Sequence, residues 1–208
     1  MVDDAYAQLV EKVAAFNAQV SGRRSADLAC RSGCSACCEV WLTLSPVEAA
    51  AVRGGLAELA EPLRARVRSR GLEQAQRERD ALAEPRCAML EDDGTCAVYE
   101  HRPLVCRTQG HALRYPAGFI PAAAVRARAV NRDAGARPNE TFVAGEVTHC
   151  SLNYLAAPPC RDDVLDAERV DLILAVVNAR FCEAEGLDPS RRSPLSELAA
   201  EPAARGPK

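Results

Sequence analysis

The sequence predicts a mainly helical α+β fold, in which a small hairpin and a cysteine-rich loop pack among several helices. Three observations predict it. Apolar residues recur at three- and four-residue steps over several long stretches, the pattern of amphipathic helices. Two short β-leaning runs flank Asp92-Asp93-Gly94, a hairpin turn signal. Four cysteines lie between Cys30 and Cys38, among small residues that suit a loop. A chain of 208 residues buries about 70 % of its unfolded surface without covalent staples. The 10 cysteines therefore need another explanation than folding.

The first helix is expected over about Asp4–Val20, where Tyr6, Leu9, Val10, Val13, Phe16 and Val20 share a face and Ser21-Gly22-Arg23-Arg24 ends it. The cysteine loop follows, then Val40-Trp41-Leu42-Thr43-Leu44 as a short strand-like run. Ser45-Pro46-Val47-Glu48 has an N-cap serine, proline at the first helical position and a glutamate to close the capping box. That helix is expected to run to about Arg53 and stop at Gly54-Gly55. Residues 56–83 read as one or two further helices. Leu56, Leu59, Leu63 and Val67 form a stripe that Leu72, Ala75 and Leu82 continue after Gly71. Arg64, Arg66, Arg68, Arg70, Arg77 and Arg79 alternate with acidic residues and spread around the helix, which reads as a solvated surface rather than a phosphate-binding patch.

The hairpin is expected from Cys87–Leu90 and Thr95–Tyr99, and His101-Arg102-Pro103 starts a helical turn that carries Cys106. Strands are expected around Ala112–Tyr115, Phe119–Val125 and Thr141–Val147. A long helix over about Leu165–Ala184 presents Val170, Ile173, Leu174, Val177 and Phe181, with Gly186 placed as its C-cap. The expectation is a single domain over residues 1–190 and a frayed tail over 191–208, which holds Pro194, Pro202 and Pro207.

Composition excludes several classes. A net charge of −3 and only 4 % aromatic residues argue against a nucleic-acid binder. Ten cysteines in 208 residues are too sparse for a disulfide scaffold. Met1-Val2-Asp3-Asp4 is acidic and no apolar signal run follows it; the longest apolar run, Leu172–Val177, is far short of a membrane span. The expectation is a cytoplasmic protein with reduced thiols and no membrane or nucleic-acid partner. There, clustered cysteines point to metal or redox chemistry.

Cys30-x3-Cys34-x2-Cys37-Cys38 contains a metal knuckle, Cys34-x-x-Cys37, in which two thiolates can grip one ion. Zinc and a [4Fe–4S] cluster each take four ligands, so remote donors are needed. Cys87, Cys96, Cys106 and Cys150 are the remote candidates, with Cys160 and Cys182 beyond them. The Cys30-x3-Cys34-x2-Cys37 step also matches the signature of radical S-adenosylmethionine enzymes, but the chain has no room for their larger barrel. A thioredoxin-like reading lacks the βαβ context.

Three blocks, in order, resemble the YkgJ-type cysteine-cluster family, the CxxCxxCC zinc- or iron-chelating domain. They are the Cys30–Cys38 block with Leu42-Thr43-Leu44-Ser45-Pro46-x-Glu48 after it; Cys87-Ala-Met-Leu90; and Gly94-Thr-Cys96-Ala-Val-Tyr99-Glu-His-Arg102-Pro103-Leu-Val-Cys106-Arg107. Cys150 is similar to a further cysteine that many members carry. Ser35 and Ala88 stand where the family often has glycine and proline, and Thr108-Gln109 where an aromatic often follows; no cysteine is lost. The resemblance implies metal chelation and no particular reaction. Some flagellin lysine methylases look similar in this block, which offers an enzyme alternative, although no separate cofactor-binding domain is visible.

The expected ligands are therefore Cys30, Cys34, Cys37, Cys38, Cys87, Cys96, Cys106 and Cys150, holding an iron–sulfur cluster (of [4Fe–4S] type) or Zn²⁺. Eight thiols can serve one centre or two. The hairpin makes Cys87 and Cys96, with Cys106, an expected half-site that the Cys30–Cys38 loop completes. Arg31, Arg86, Arg102, Arg107 and Arg161 stand in or next to cysteine segments and can offset thiolate charge. Cys160 is open between a packed free cysteine and a ligand, and Cys182 is expected to pack in the core. His101, His111 and His149 are expected to be surface or hydrogen-bonded residues rather than ligands. A structural-zinc interaction module and a cluster-dependent redox or methyl-transfer enzyme are the alternatives.

Overall fold

A computed structural model describes residues 3–80, 85–116, 146–150 and 152–202. It is mainly helical with small sheets, as the sequence predicts. The chain divides into two compact units, one of Met1–Ala7, Ser32–Leu104 and Val176–Lys208, the other of Gln8–Arg31 and Val105–Ala175.

The first unit holds α2 (Pro46–Glu58) and α3 (Glu61–Arg79), the short strand β1 (Thr43–Leu44) and a 3₁₀ turn at Tyr99–His101. Its core gathers Leu44, Ala49, Val52, Val67, Ala88, Met89 and Val98 with Leu195, Leu198 and Ala199. The α2 start is as read. The Ser45 N–H and hydroxyl both donate to Glu48 Oε2, at 3.2 and 2.8 Å. The other oxygen of this buried carboxylate accepts the Leu104 N–H at 3.2 Å.

Gly54-Gly55 does not end α2, which continues to Glu58. Gly55 instead admits a side chain: a Cβ there would lie 2.5 Å from His101 Cγ. The imidazole Nε2 then meets Glu58 at 3.0 Å. On α3 the buried stripe is Val67, Gly71, Gln74 and Ala75, so Leu72 falls off it and is 54 % exposed, against expectation. Leu82 lies outside the described residues. The arginines do form a solvated surface: Arg64 pairs with Glu61, Arg66 and Arg70 with Glu91, and Arg77 with Glu73.

Over its described part, residues 191–202, the tail is no frayed extension. Ser193–Pro194 forms β5, antiparallel to β1 with Thr43 opposite Pro194. Leu195–Ala200 forms a short helix whose Leu195, Leu198 and Ala199 are buried. Its prolines delimit it rather than unravel it: Pro194 is the N-cap and Pro202 follows the end. This helix lies on Gly71, where a Cβ would come within 2.5 Å of Ala200 N and 2.6 Å of Ala199 C. Backbone cannot yield as a side chain tip can. Gly71→Ala is therefore expected to cost about 1–3 kcal/mol in equilibrium unfolding, despite alanine's better helix propensity.

The expected hairpin shrinks to one antiparallel bridge, Leu90 to Cys96. Glu91 N–H to Thr95 O and Ala97 N–H to Met89 O, both 2.8 Å, flank it. Asp93 accepts from both the Thr95 N–H and hydroxyl, at 2.9 and 2.6 Å, which folds the chain into a tight local turn. The Tyr99–His101 turn then ends the extended run.

The second unit carries most of α1 (Asp4–Arg23), whose Leu9, Val13 and Val20 are buried. A three-stranded sheet has the order β3 (Glu146–Thr148), β2 (Ala112–Tyr115), β4 (Val164–Asp166). β2 runs antiparallel to β3, with Arg114 opposite Val147, and parallel to β4, with Ala112 opposite Val164. The expected strand at Phe119–Val125, and residues 141–145 of the next, lie outside the described residues. α4 (Leu104–Thr108) precedes β2 and carries Cys106. The last long helix, α5, spans Ala167–Glu185 and starts later than expected because Leu165 belongs to β4. Gly186, at φ +66°, ends α5 as expected, and the Leu187 N–H caps Cys182 O at 2.9 Å. Among the described residues, no helix is long and apolar enough to cross a membrane.

Candidate metal centre

The first unit brings Cys34, Cys37, Cys38, Cys87 and Cys96 into one body. Two backbone devices join their segments. The Cys87 N–H donates to Cys38 O at 2.8 Å, while the Cys38 N–H closes a turn onto Ser35 O at 2.8 Å. Gly33 and Gly94 meet in a close approach: a Cβ on Gly94 would lie 2.7 Å from Gly33 O. Both glycines have positive φ, +86° and +82°, a conformation that other residues adopt at a cost. The cysteine loop is thereby fastened to the turn that carries Cys87 and Cys96.

The sulfurs interact with one another and with fixed donors. The Cys37 thiol hydrogen-bonds to Cys38, which with burial pushes it well above an ordinary thiol. Burial first, then the neighbouring Cys96 and Cys37, push Cys87 up to about 11, against the Met89 N–H and the Arg70 charge. Burial also raises Cys96, against the Val98 N–H and the Arg102 guanidinium. Cys87 and Cys96 thus share one local arrangement: each sulfur accepts the backbone N–H two residues on. Donors aimed in this way stabilise a thiolate and tune any metal that it binds. Arg102 lies over the Tyr99 ring at 3.5 Å and donates from Nε to Tyr99 O at 2.9 Å, so its charge is held in place near Cys37 and Cys96.

Cys30, Cys106 and Cys150 belong to the second unit. Cys30 Sγ accepts from Asn153 Nδ2 at 3.2 Å, and Cys150 Sγ accepts the Leu152 N–H at 3.5 Å. Cys87 and Cys96 lie in the same unit as Cys34, Cys37 and Cys38, and Cys106 and Cys30 lie in that of Cys150. Cys182 is 1 % exposed and packs as expected. Cys160 is exposed and donates to Asp163 Oδ2 at 3.1 Å. His101 bonds Glu58, and His149 Nδ1 meets Cys150 O at 2.9 Å, both as expected. His111 departs from expectation, being 7 % exposed with Nδ1 buried and unpartnered.

Sequence reasoning missed Asn153, Gly110 and the Met89 and Val98 amides. The amides are backbone groups and leave no trace in residue identity. Asn153 follows Cys150 closely, and that proximity is the one signal that could have found it.

The fit to a metal is one of donor chemistry. Cys37 lies within electrostatic reach of Cys38, Cys87 and Cys96, and Cys87 of Cys96, with directed N–H donors at Cys87 and Cys96 and the Arg102 charge near Cys37 and Cys96. Among the described residues, no three Cys, His, Asp or Glu side chains are already gathered as ligands of one ion. A mainly helical scaffold that concentrates thiols in this way defines a cysteine-cluster protein. The chain belongs to the CxxCxxCC family, described as "Putative zinc- or iron-chelating domain", whose model matches residues 29–138. No curated protein and no solved structure matches the chain.

Proposed function

We propose that the protein holds an iron–sulfur cluster or Zn²⁺ in a reducing, cytoplasmic setting, with Cys37, Cys38, Cys87 and Cys96 as the thiolate set of the first unit and Cys34 beside it in the same loop. The observation that carries this reading is the repeated turn at Cys87 and Cys96, each sulfur accepting the N–H of the second residue after it. The only histidine of this unit, His101, is engaged by Glu58, which leaves a purely sulfur donor set. Such a set suits both zinc and iron–sulfur clusters. Bound iron–sulfur would supply one-electron chemistry, and bound zinc a structural crosslink. In either case the chain's own part is to present deprotonated thiols, shield them and offset their charge with Arg102.

A structural-zinc module is the second reading. Cys87 and Cys96 pack directly against the core cluster that contains Met89 and Val98, so a metal there would staple the core. Anaerobic purification with metal and acid-labile sulfide analysis separates the two. Iron with sulfide supports a cluster. Zinc without sulfide, in a protein that unfolds when chelated, supports the structural role. A chain with neither metal after reconstitution overturns both.

A further inference from the structure

We propose that the second unit holds a metal site of its own, built by Cys30, Cys106 and Cys150 around Gly110, with Asn153 as its positioning residue. The proposal rests on the metal-binding reading above and adds a partition: two centres, not one shared by eight thiols.

The local chemistry of Cys150 repeats that of Cys87 and Cys96, because its sulfur too accepts the N–H of the second residue after it, Leu152. Gly110 makes the room. It lies at φ +97°, and a Cβ there would fall 2.3 Å from Cys30 Sγ and 3.8 Å from Cys150 Cβ. The two cysteines therefore flank one spot that a side chain at position 110 would fill. The Cys150 N–H also donates to Gly110 O, at 3.4 Å. Cys106 lies on α4, four residues before Gly110 in the chain, and the helix is continued toward that glycine by Gln109 N–H to Val105 O and His111 N–H to Thr108 O.

Asn153 ties these segments together. It is fully buried and makes three bonds: Nδ2 to Cys30 Sγ at 3.2 Å, Nδ2 to Gly110 O at 2.6 Å, and the Ala29 N–H to Oδ1 at 2.8 Å. The next residue, Tyr154, sits at φ +58°, a conformation that a non-glycine residue adopts only at a cost. Its N–H is anchored on Asp27 O at 2.8 Å. A buried amide aimed at a thiol, beside a residue in a costly conformation, marks a position that the surroundings over-determine. His111, adjacent to Gly110, has a buried, unpartnered Nδ1 and is the available fourth donor.

The test is stoichiometric. The full chain, reduced and anaerobic, is titrated with Co²⁺ and then Zn²⁺, with metal per chain and the cobalt–thiolate absorption both recorded. Wild type is expected to take up two ions. Cys150→Ser should take up one and keep the absorption of the all-thiolate site, and Cys87→Ser should take up the other one. Asn153→Asp keeps the acceptor for Ala29 and removes the donor to Cys30. It is expected to weaken the second ion by 10–100-fold, as loss of a ligand's supporting hydrogen bond does, with the first ion unmoved. Circular dichroism on the same samples checks the fold. A wild type that saturates at one ion, or a Cys150→Ser chain that still binds two, overturns the second site and leaves the first intact. Loss of all metal from each single variant overturns the partition in favour of one shared centre. If Cys87→Ser changes nothing while Cys150→Ser loses an ion, the first-unit reading fails and this one stands.

Discussion

Asp163→Ala is expected to destabilise the protein by about 3–5 kcal/mol, the cost of breaking a buried ion pair from one side. The Asp163 carboxylate is fully buried. It pairs with Arg24 at 2.8 Å and Arg23 at 3.4 Å, both at the end of α1. It also accepts the Cys160 N–H at 3.0 Å and the Cys160 thiol at 3.1 Å, which shapes the turn leading into β4. Arg24 contributes the larger share, because Arg23 is about half exposed and solvent screens it. Removing both arginines would cost more than removing the acid, since it would leave the buried carboxylate unpaired, whereas the arginines without the acid can return to water.

The same group sets an acid limit. Burial alone would raise the Asp163 carboxyl, but the bonds from Cys160 and the Arg24 charge outweigh it and hold it below the usual carboxylate range. Its stabilisation is complete above the unfolded value, about pH 3.9, and is lost as pH falls through the lower folded value. Denaturant midpoints between pH 7 and pH 2 should fall at the acid end in wild type. In Asp163→Asn the contribution of this group to that fall should vanish, from a lower starting stability. An unchanged acid limb in the variant would show that other carboxylates set it.

Much of this was legible in the sequence, and the exceptions have physical causes. The α2 start and the Gly186 cap were readable because capping chemistry is local: Ser45, Pro46 and Glu48 satisfy one another within four residues. β2 was readable from its composition alone. Gly54-Gly55 was misread as a helix stop, and the role of Gly71 was not seen, because sequence does not show what approaches a glycine. His101 enters at Gly55 and the Leu195–Ala200 helix at Gly71, and those contacts repay the lost propensity. The order of the last segment was invisible for the same reason: Leu195 and Leu198 are buried by residues far away in the chain. Which unit each cysteine joins was not legible, because Cys30 and Cys34, only four residues apart, join different ones.

Removing the metal is expected to have the largest effect of all. Structural zinc supplies about 10–16 kcal/mol of apparent binding free energy at neutral pH, more than the net stability of most domains. Cys87 and Cys96 flank Met89 and Val98 in the core, so a metal on them is coupled to that core directly. Stripping the metal should therefore expose the thiols to labelling and lower the melting temperature, and adding it back should reverse both. Cys37→Ser and Cys87→Ser should mimic the stripped state, with less metal per chain and a lower melting temperature. Cys106→Ser should also lose metal. Cys182→Ser is the control. Its thiol is 1 % exposed and faces Asn178 Oδ1 at 3.7 Å, so a serine hydroxyl finds an acceptor there. That change should cost about 1 kcal/mol, the net worth of one hydrogen-bonded group, and leave metal content unchanged. Equal metal loading in all four variants would remove the thiols from the ligand role altogether. Because metal must displace protons from these sulfurs, the apparent affinity of wild type should rise with pH, and that slope should shrink as each ligand is replaced.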